Sequence, residues 1–214
     1  MGTQVVIPAL QFPPALPVNL SEVLEAQARC LIAYGIHGEV GVEEAKFLDD
    51  AMNLVQQFGY SVELAGIGLN EVWLVHYGVR DRFLCEAGGV NIWADPDTFT
   101  LFEGVTTPEG LCIVQGQLGQ KYKGRAPKDI RASHDPLEQL GIPKDGLTAF
   151  LYWGKPQLQK SYMDFPGAVT EYGNVPYLRL GDGDPELDDD NPVYANPGYG
   201  SVSVSRGSQL PWGS

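Results

Sequence analysis

No stretch of this 214-residue chain approaches the run of about 18 apolar residues that a membrane-spanning helix needs. Cysteine is scarce. Cys30, Cys85 and Cys112 form an odd, widely spaced set, which excludes a disulfide framework and fits a reducing compartment. There are three histidines, His37, His76 and His134, and no H-x-x-x-H or C-x-x-C frame, so zinc has little to bind. Positive charge is short as well: 14 Lys and Arg against 27 Asp and Glu leave a net charge of −13. Such a field repels phosphate backbones and anionic lipid and excludes a broad nucleic-acid face. The amino end lacks a basic segment before its apolar residues, and its prolines break a signal-type helix. Val6 stands where a myristoylation motif needs Ser or Thr. A soluble product, intracellular when made, is expected.

Nucleotide and hydrolase motifs are missing too. AGIGLNE has G-x-G without the third glycine, and GYGSVSVS does not have the spacing of a nucleophile elbow. No solenoid or propeller period is present.

The chain does contain strand-forming residues, concentrated between Asn70 and Leu118. NEVWLVHYG, DRFLCEAGG, VNIWADP, TFTLFEG and LCIVQGQL follow one another across short Gly, Asp and Pro breaks, which predicts an antiparallel meander. Before it, Asn19 with Glu22 forms a helix start, and Leu20, Val23, Leu24, Leu31 and Tyr34 share one face up to Gly35. A second helix is predicted over about 42–58, carrying Val42, Ala45, Leu48, Met52 and Val55. After the meander, KYKGRAPKDIR reads as a basic loop, SHDPLEQLG as a short helix and LTAFLYWG as one more strand. The expected fold class is α+β: an antiparallel β-meander sheet packed by an N-terminal αα-hairpin, with extended N- and C-terminal arms. Residues 1–18 form the proline-stiffened first arm, 19–165 the core, and 166–214 an acidic, aromatic second arm.

Each chemical reading has a plainer one beside it. Cys85 or Cys112 with His76 or His134 would make a cysteine nucleophile, but thiols in apolar strands are ordinarily inert. Glu86, Asp95 and Asp97 near Trp73 and Trp93 would line a sugar cleft; strand-end turn residues beside core tryptophans are the simpler account. Asp182, Asp184 and Glu186 match the first ligands of an EF-hand loop, but Leu187 replaces its Gly and Val193 its bidentate Glu. A looser hard-cation site from Asp188, Asp189, Asp190 and Asn191 competes with a solvated acidic linker. No cofactor is expected.

The most informative charge feature is Lys121, Lys123, Arg125, Lys128 and Arg131 in one short span. An acidic strap over 182–190 could dock on it, with Tyr194 and Tyr199 among the aromatic anchors. In the first arm, Phe12 and Leu16 are apolar side chains that need a groove. The leading expectation is a structural or interaction subunit of a larger symmetric assembly, exchanging arms with neighbouring protein subunits. A tailed-virus particle component (capsid accessory, neck or tail), located in the virion, is its specific form. The alternatives are an acidic inhibitor or immunity-type binding protein, and a hydrolase with an unsignalled carboxylate or cysteine site.

Overall fold

The computed structural model describes residues 19–65, 72–134 and 138–206, without the side chains of 58–65. Asn19 caps α1 (Leu20–Ala33) by accepting the Ser21 N–H on Oδ1 at 3.0 Å. Gly35 ends that run at φ 79°, a backbone state glycine adopts without penalty. A short helix α2 (Ile36–Glu39) fills the turn, and α3 (Glu44–Ala65) runs past the expected stop at Gly59. Leu24, Ala28 and Leu31 of α1 and Phe47, Ala51 and Val55 of α3 are buried, and the two helices pack on each other.

Among the described residues the main sheet has eight strands and is mixed. Its main path runs β1 (Val72–His76), β4 (Leu111–Leu118), β10 (Tyr199–Arg206), β6 (Tyr162–Asp164), β8 (Val175–Gly181), β9 (Asp184–Asp190) and β2 (Asn91–Ile92). β10/β6 and β9/β2 are parallel pairs; the other neighbours on the path are antiparallel. β5 (Gln139–Leu140) also pairs with β10, and β3 (Thr100–Leu101) makes a separate two-stranded sheet with β7 (Ala168–Val169). The edge strand β1 is closed by side chains. Gln27 takes the Leu74 N–H at 3.0 Å and donates to Val72 O at 3.3 Å, and Tyr152 donates to Leu74 O at 2.8 Å. Unpaired edge groups would otherwise invite another strand.

Several expectations are corrected. The segment 70–118 is not a meander: only β1 and β4 are long, and DRFLCEAGG is the helix α4 (Asp81–Gly88). Leu84 and Cys85 are buried, Gly88 lies against Phe150 and Leu151, and Gly89 closes α4 in the left-handed region at φ 63°. LTAFLYWG is not a strand but the greater part of α6 (Pro143–Trp153), which starts at Pro143 and stops at Gly154. Every residue from Gly146 to Tyr152 is buried, so α6 has no polar face to reveal its period. The basic span is partly helical, because Pro127 begins α5 (Pro127–Ser133) instead of preventing it. The helix expected over SHDPLEQLG is replaced at Gln139–Leu140 by β5; residues 135–137 lie outside the described residues.

The largest correction concerns the second arm. Residues 166–206, expected to be extended, supply β7, β8, β9 and β10, with α7 (Lys155–Lys160) leading in through β6. Leu178, Leu187, Val202 and Val204 belong to the same core cluster as Leu24, Phe47 and Trp73. At about 1.5–3 kcal/mol for each large apolar side chain, that burial outweighs the polar surroundings of these strands. β10 is the junction of the sheet: Tyr199–Ser201 pair with β6, and Val202–Arg206 pair with β4. Gly200 crosses Gly119 so closely that a Cβ there would overlap the Gly119 carbonyl oxygen. The first arm, 1–18, lies outside the described residues.

Candidate functional site

The sheet ends on a buried ion pair. Arg206, 2% exposed, donates through Nη2 to Oδ2 of Asp145, 0% exposed, and through Nε to the Tyr77 hydroxyl at 2.9 Å. Tyr77 donates in turn to Asp145 Oδ1 at 2.5 Å. Gln139 Oε1 at 2.7 Å and Leu140 O at 3.0 Å take further guanidinium protons. Asp145 also accepts the Ile142 N–H at 2.9 Å, closing the first turn of α6. Burial works against the Arg206 charge, and the Asp145 carboxylate and Tyr77 outweigh it, holding the guanidinium above its ordinary pKa. Burial, then the Asp145 charge, push the Tyr77 hydroxyl well above its usual range. The cluster ties β10, β5, α6 and the residue after β1 together, and Arg206, Asp145 and Tyr77 are all buried. It is a structural clasp.

Of the residues predicted to bind partners, most are engaged internally. Lys121 pairs with Glu138 at 2.7 Å, Lys123 donates to Lys160 O at 3.0 Å and Arg125 to Ser133 Oγ at 2.8 Å. Arg131 lies over the Phe102 ring at 4.0 Å and donates to Pro166 O and Ala168 O at 2.8 and 2.9 Å. Lys128 donates its backbone N–H to Pro192 O at 2.9 Å. Tyr199 is buried against Tyr162 and Tyr177, with ring centroids 5.0 Å apart in both pairs, whereas Tyr194 is exposed. Phe12 and Leu16 fall outside the described residues. The segment after the acidic run does pass the basic span, but the bonds are backbone ones: Lys128 N–H to Pro192 O, and Gly124 N–H to Tyr199 O at 2.8 Å. Among the described residues, no ion pair joins 182–190 to 121–131.

The acidic run forms strand β9, where Pro185 and Leu187 are buried, Asp184 and Asp190 are exposed, and Glu186, Asp188 and Asp189 are partly buried. The cation candidates Asp182, Asp184 and Glu186 do not converge on a centre. Asp182 sits in the turn at φ 49°, Lys155 holds Asp184 at 3.0 Å, and Arg179 holds Glu186 at 3.2 Å. Tyr177 binds Asp188 at 3.1 Å and Asn174 binds Asp189 at 2.9 Å. No lysine or arginine pairs with Asp182, Asp188, Asp189 or Asp190 among the described residues.

Two exposed aromatics are tethered to this strand. Trp93, 70% exposed, follows β2 and donates its N–H to Leu187 O at 2.9 Å. Tyr172, 79% exposed, stands on the turn from Thr170 to Asn174, whose last residue binds Asp189. The working candidate is therefore the acidic strand β9 with large aromatic side chains at its flanks.

The nucleophile and carboxylate readings find no constellation. Burial raises Cys30 and Cys112 to about 11 and Cys85 further, and Cys30 and Cys112 have backbone oxygens as their nearest polar partners. His76 stacks on Phe47 at 5.9 Å and accepts the Gly78 N–H on Nδ1 at 3.1 Å. Arg82 binds both Asp95 and Asp97, at 2.6 and 2.5 Å. Trp73 is core, donating to Asp145 O at 3.2 Å. A groove of about 290 Å³ over β4 and β10 is lined by Gln115, Gln117, Gln120, Lys121, Glu138 and Ser203, with Lys121 and Glu138 bonded to each other at 2.7 Å. No group of three or more His, Cys, Asp or Glu among the described residues is arranged to hold a metal.

Sequence reasoning missed Arg206, Asp145, Tyr77 and the buried Asp164. The available signals were slight: an arginine ending the alternating Ser/Val run, and an aspartate at the third position after a helix-starting Ile142–Pro143. Compared with known proteins, the chain matches no family model, no curated protein and no solved structure at a significant level.

Proposed function

We propose that this protein works by binding other proteins, and that β9 with its flanking aromatics is the surface it uses. The supporting observation is Trp93, held by its backbone against an acidic strand while most of its ring faces water. Trp and Tyr are among the side chains most enriched as anchors of protein interfaces. The β9 carboxylates that no lysine or arginine pairs among the described residues, Asp188–Asp190, would steer a basic partner and raise its association rate.

On this reading the chain is an interaction subunit of a larger assembly, with a tailed-virus particle component as the specific setting proposed. One observation favours the second reading, an acidic inhibitor-type module. The acidic charge is carried on an ordered strand of the folded sheet, as that class requires, and not on an extended tail. No helix among the described residues is long and apolar enough to cross a membrane.

Light scattering on the purified full chain separates the two. A defined oligomer that dissociates on Trp93→Ala supports the assembly. A monomer whose purified partner is lost on Trp93→Ala, and whose association slows with salt, supports the inhibitor. If self-association and partner binding are both unchanged in Trp93→Ala, Tyr172→Ala and Asp188→Asn, the β9 surface is not the one used.

A further inference from the structure

The register of three strands gathers carboxylates on one face of the sheet. Asp164 in β6 is opposite Tyr177 in β8, Tyr177 is opposite Asp188 in β9, and Val175 is opposite Asp190. Directly opposed residues share a face, so Asp164, Asp188 and Asp190 lie on one side, away from core residue Met163. The loop 191–198 and the start of α5 cover that side, leaving a small cavity lined by Asp164, Asp190, Asn191, Asn196, Tyr199 and Val175. Its free space is about 10 Å³, room for one atom-sized occupant.

Asp164 is the unexplained group. It is 6% exposed, it lines this cavity, and no hydrogen-bond donor reaches its carboxyl among the described residues. Buried carboxylates in folded proteins are hydrogen-bonded, paired or bound to metal. Here the nearest charge is another carboxylate. Burial and then Asp190 push Asp164 up to about 7. Tyr194 also lines the cavity and is exposed, Asp190 accepts the Asn191 N–H on Oδ1 at 2.7 Å, and three further groups on this side are engaged. Arg179 binds Glu186 at 3.2 Å, Asp188 binds Tyr177 at 3.1 Å, and Tyr199 packs on Tyr177. Every polar side-chain group offered to the cavity is oxygen-bearing; no imidazole or thiolate is near.

We propose that this cavity binds one hard divalent cation, calcium fitting best, with Asp164 and Asp190 as its charged ligands. The Oδ1 atoms of Asn191 and Asn196 already accept the Val193 and Gly198 N–H groups at 3.1 and 2.9 Å and offer only their second lone pairs, and calcium tolerates the irregular geometry that magnesium does not. Two carboxylates are few, so the site belongs to the weak class, with Kd of roughly 10⁻⁴–10⁻³ M. The cation displaces the proton that Asp164 otherwise holds near neutrality, so affinity rises from pH 6 to pH 8.

The test is thermal unfolding of the full chain, with calcium chloride against magnesium chloride at matched ionic strength. At calcium about 100-fold above Kd, Tm rises by about 5–10 °C. The shift is smaller with magnesium, larger at pH 8 than at pH 6, and absent in Asp164→Asn. Asp190 is exposed, so Asp190→Asn folds whatever becomes of the buried variant, and it weakens binding at least tenfold; Asp188→Asn leaves it intact. The proposal is overturned if wild-type Tm does not respond to calcium, leaving Asp164 as a buried acid that keeps its proton. It is equally overturned if Asp190→Asn responds like wild type, because the ion would then be held by surface acids elsewhere.

Discussion

Removing both members of the buried Arg206–Asp145 pair costs less than the two single removals added together. Asp145→Asn leaves a guanidinium, 2% exposed, with only neutral acceptors: Gln139, Leu140, the Tyr77 hydroxyl and, at 3.5 Å, Thr106 O. Stranding one member of a buried pair costs about 3–5 kcal/mol. Asp145 also binds the Ile142 N–H, and weakening that first-turn contact adds up to about 1 kcal/mol. Arg206→Met leaves Asp145 with Tyr77 and Ile142 and costs about 3–5 kcal/mol. In the double variant, Asp145→Asn with Arg206→Met, no net charge remains buried. Its loss falls short of the sum of the singles by about 2 kcal/mol or more, the coupling of residues in direct contact. Urea unfolding at 25 °C measures all three, and a domain with about 5–15 kcal/mol in total registers each change as a large midpoint shift. Added salt leaves the coupling unchanged because the pair is shielded from ions. Additive losses, or single losses below about 1 kcal/mol, would show that the pair does not hold β10 to α6.

Three further outcomes follow from the same geometry. Asp164 ionises more readily in the unfolded chain than in the folded one, where its pKa is raised to about 7 from 3.8, so its contribution is fully present below about pH 4 and is lost as pH rises to 7. That loss is on the order of 4 kcal/mol, and in metal-free buffer Asp164→Asn flattens the fall, checked by melts between pH 4 and 8. Gly200→Ala forces a Cβ into the Gly119 backbone and costs about 3 kcal/mol or more, whereas Gly38→Ala in α2 has nothing within 4 Å and is neutral or stabilising by up to about 1 kcal/mol; paired denaturation curves compare them. Truncation after Gly198 deletes β10 and abolishes cooperative unfolding by circular dichroism, because the strand joining the two parts of the sheet is gone.

What the sequence settled by itself is whatever depends on short range. Asn19 caps a helix because its side chain reaches an N–H two residues on, and Leu24 and Leu31 share a face because the helical repeat puts them there. The acidic excess and the lack of a membrane-length apolar helix also come directly from composition, the latter holding for every described helix. Tertiary structure decided the remainder. DPELDDD becomes a strand only because β8 is there to pair with it and Leu187 has a core to enter; YGSVSVSR becomes the centre of the sheet because β4 and β6 lie on its two sides. LTAFLYWG is helical although its buried run reads equally well as a strand, since a segment covered on all sides shows no period. The same limit hid Asp164 and Arg206. The environment of a buried charge is set by residues tens of positions away, and one-dimensional spacing cannot register a neighbour that only strand pairing brings close.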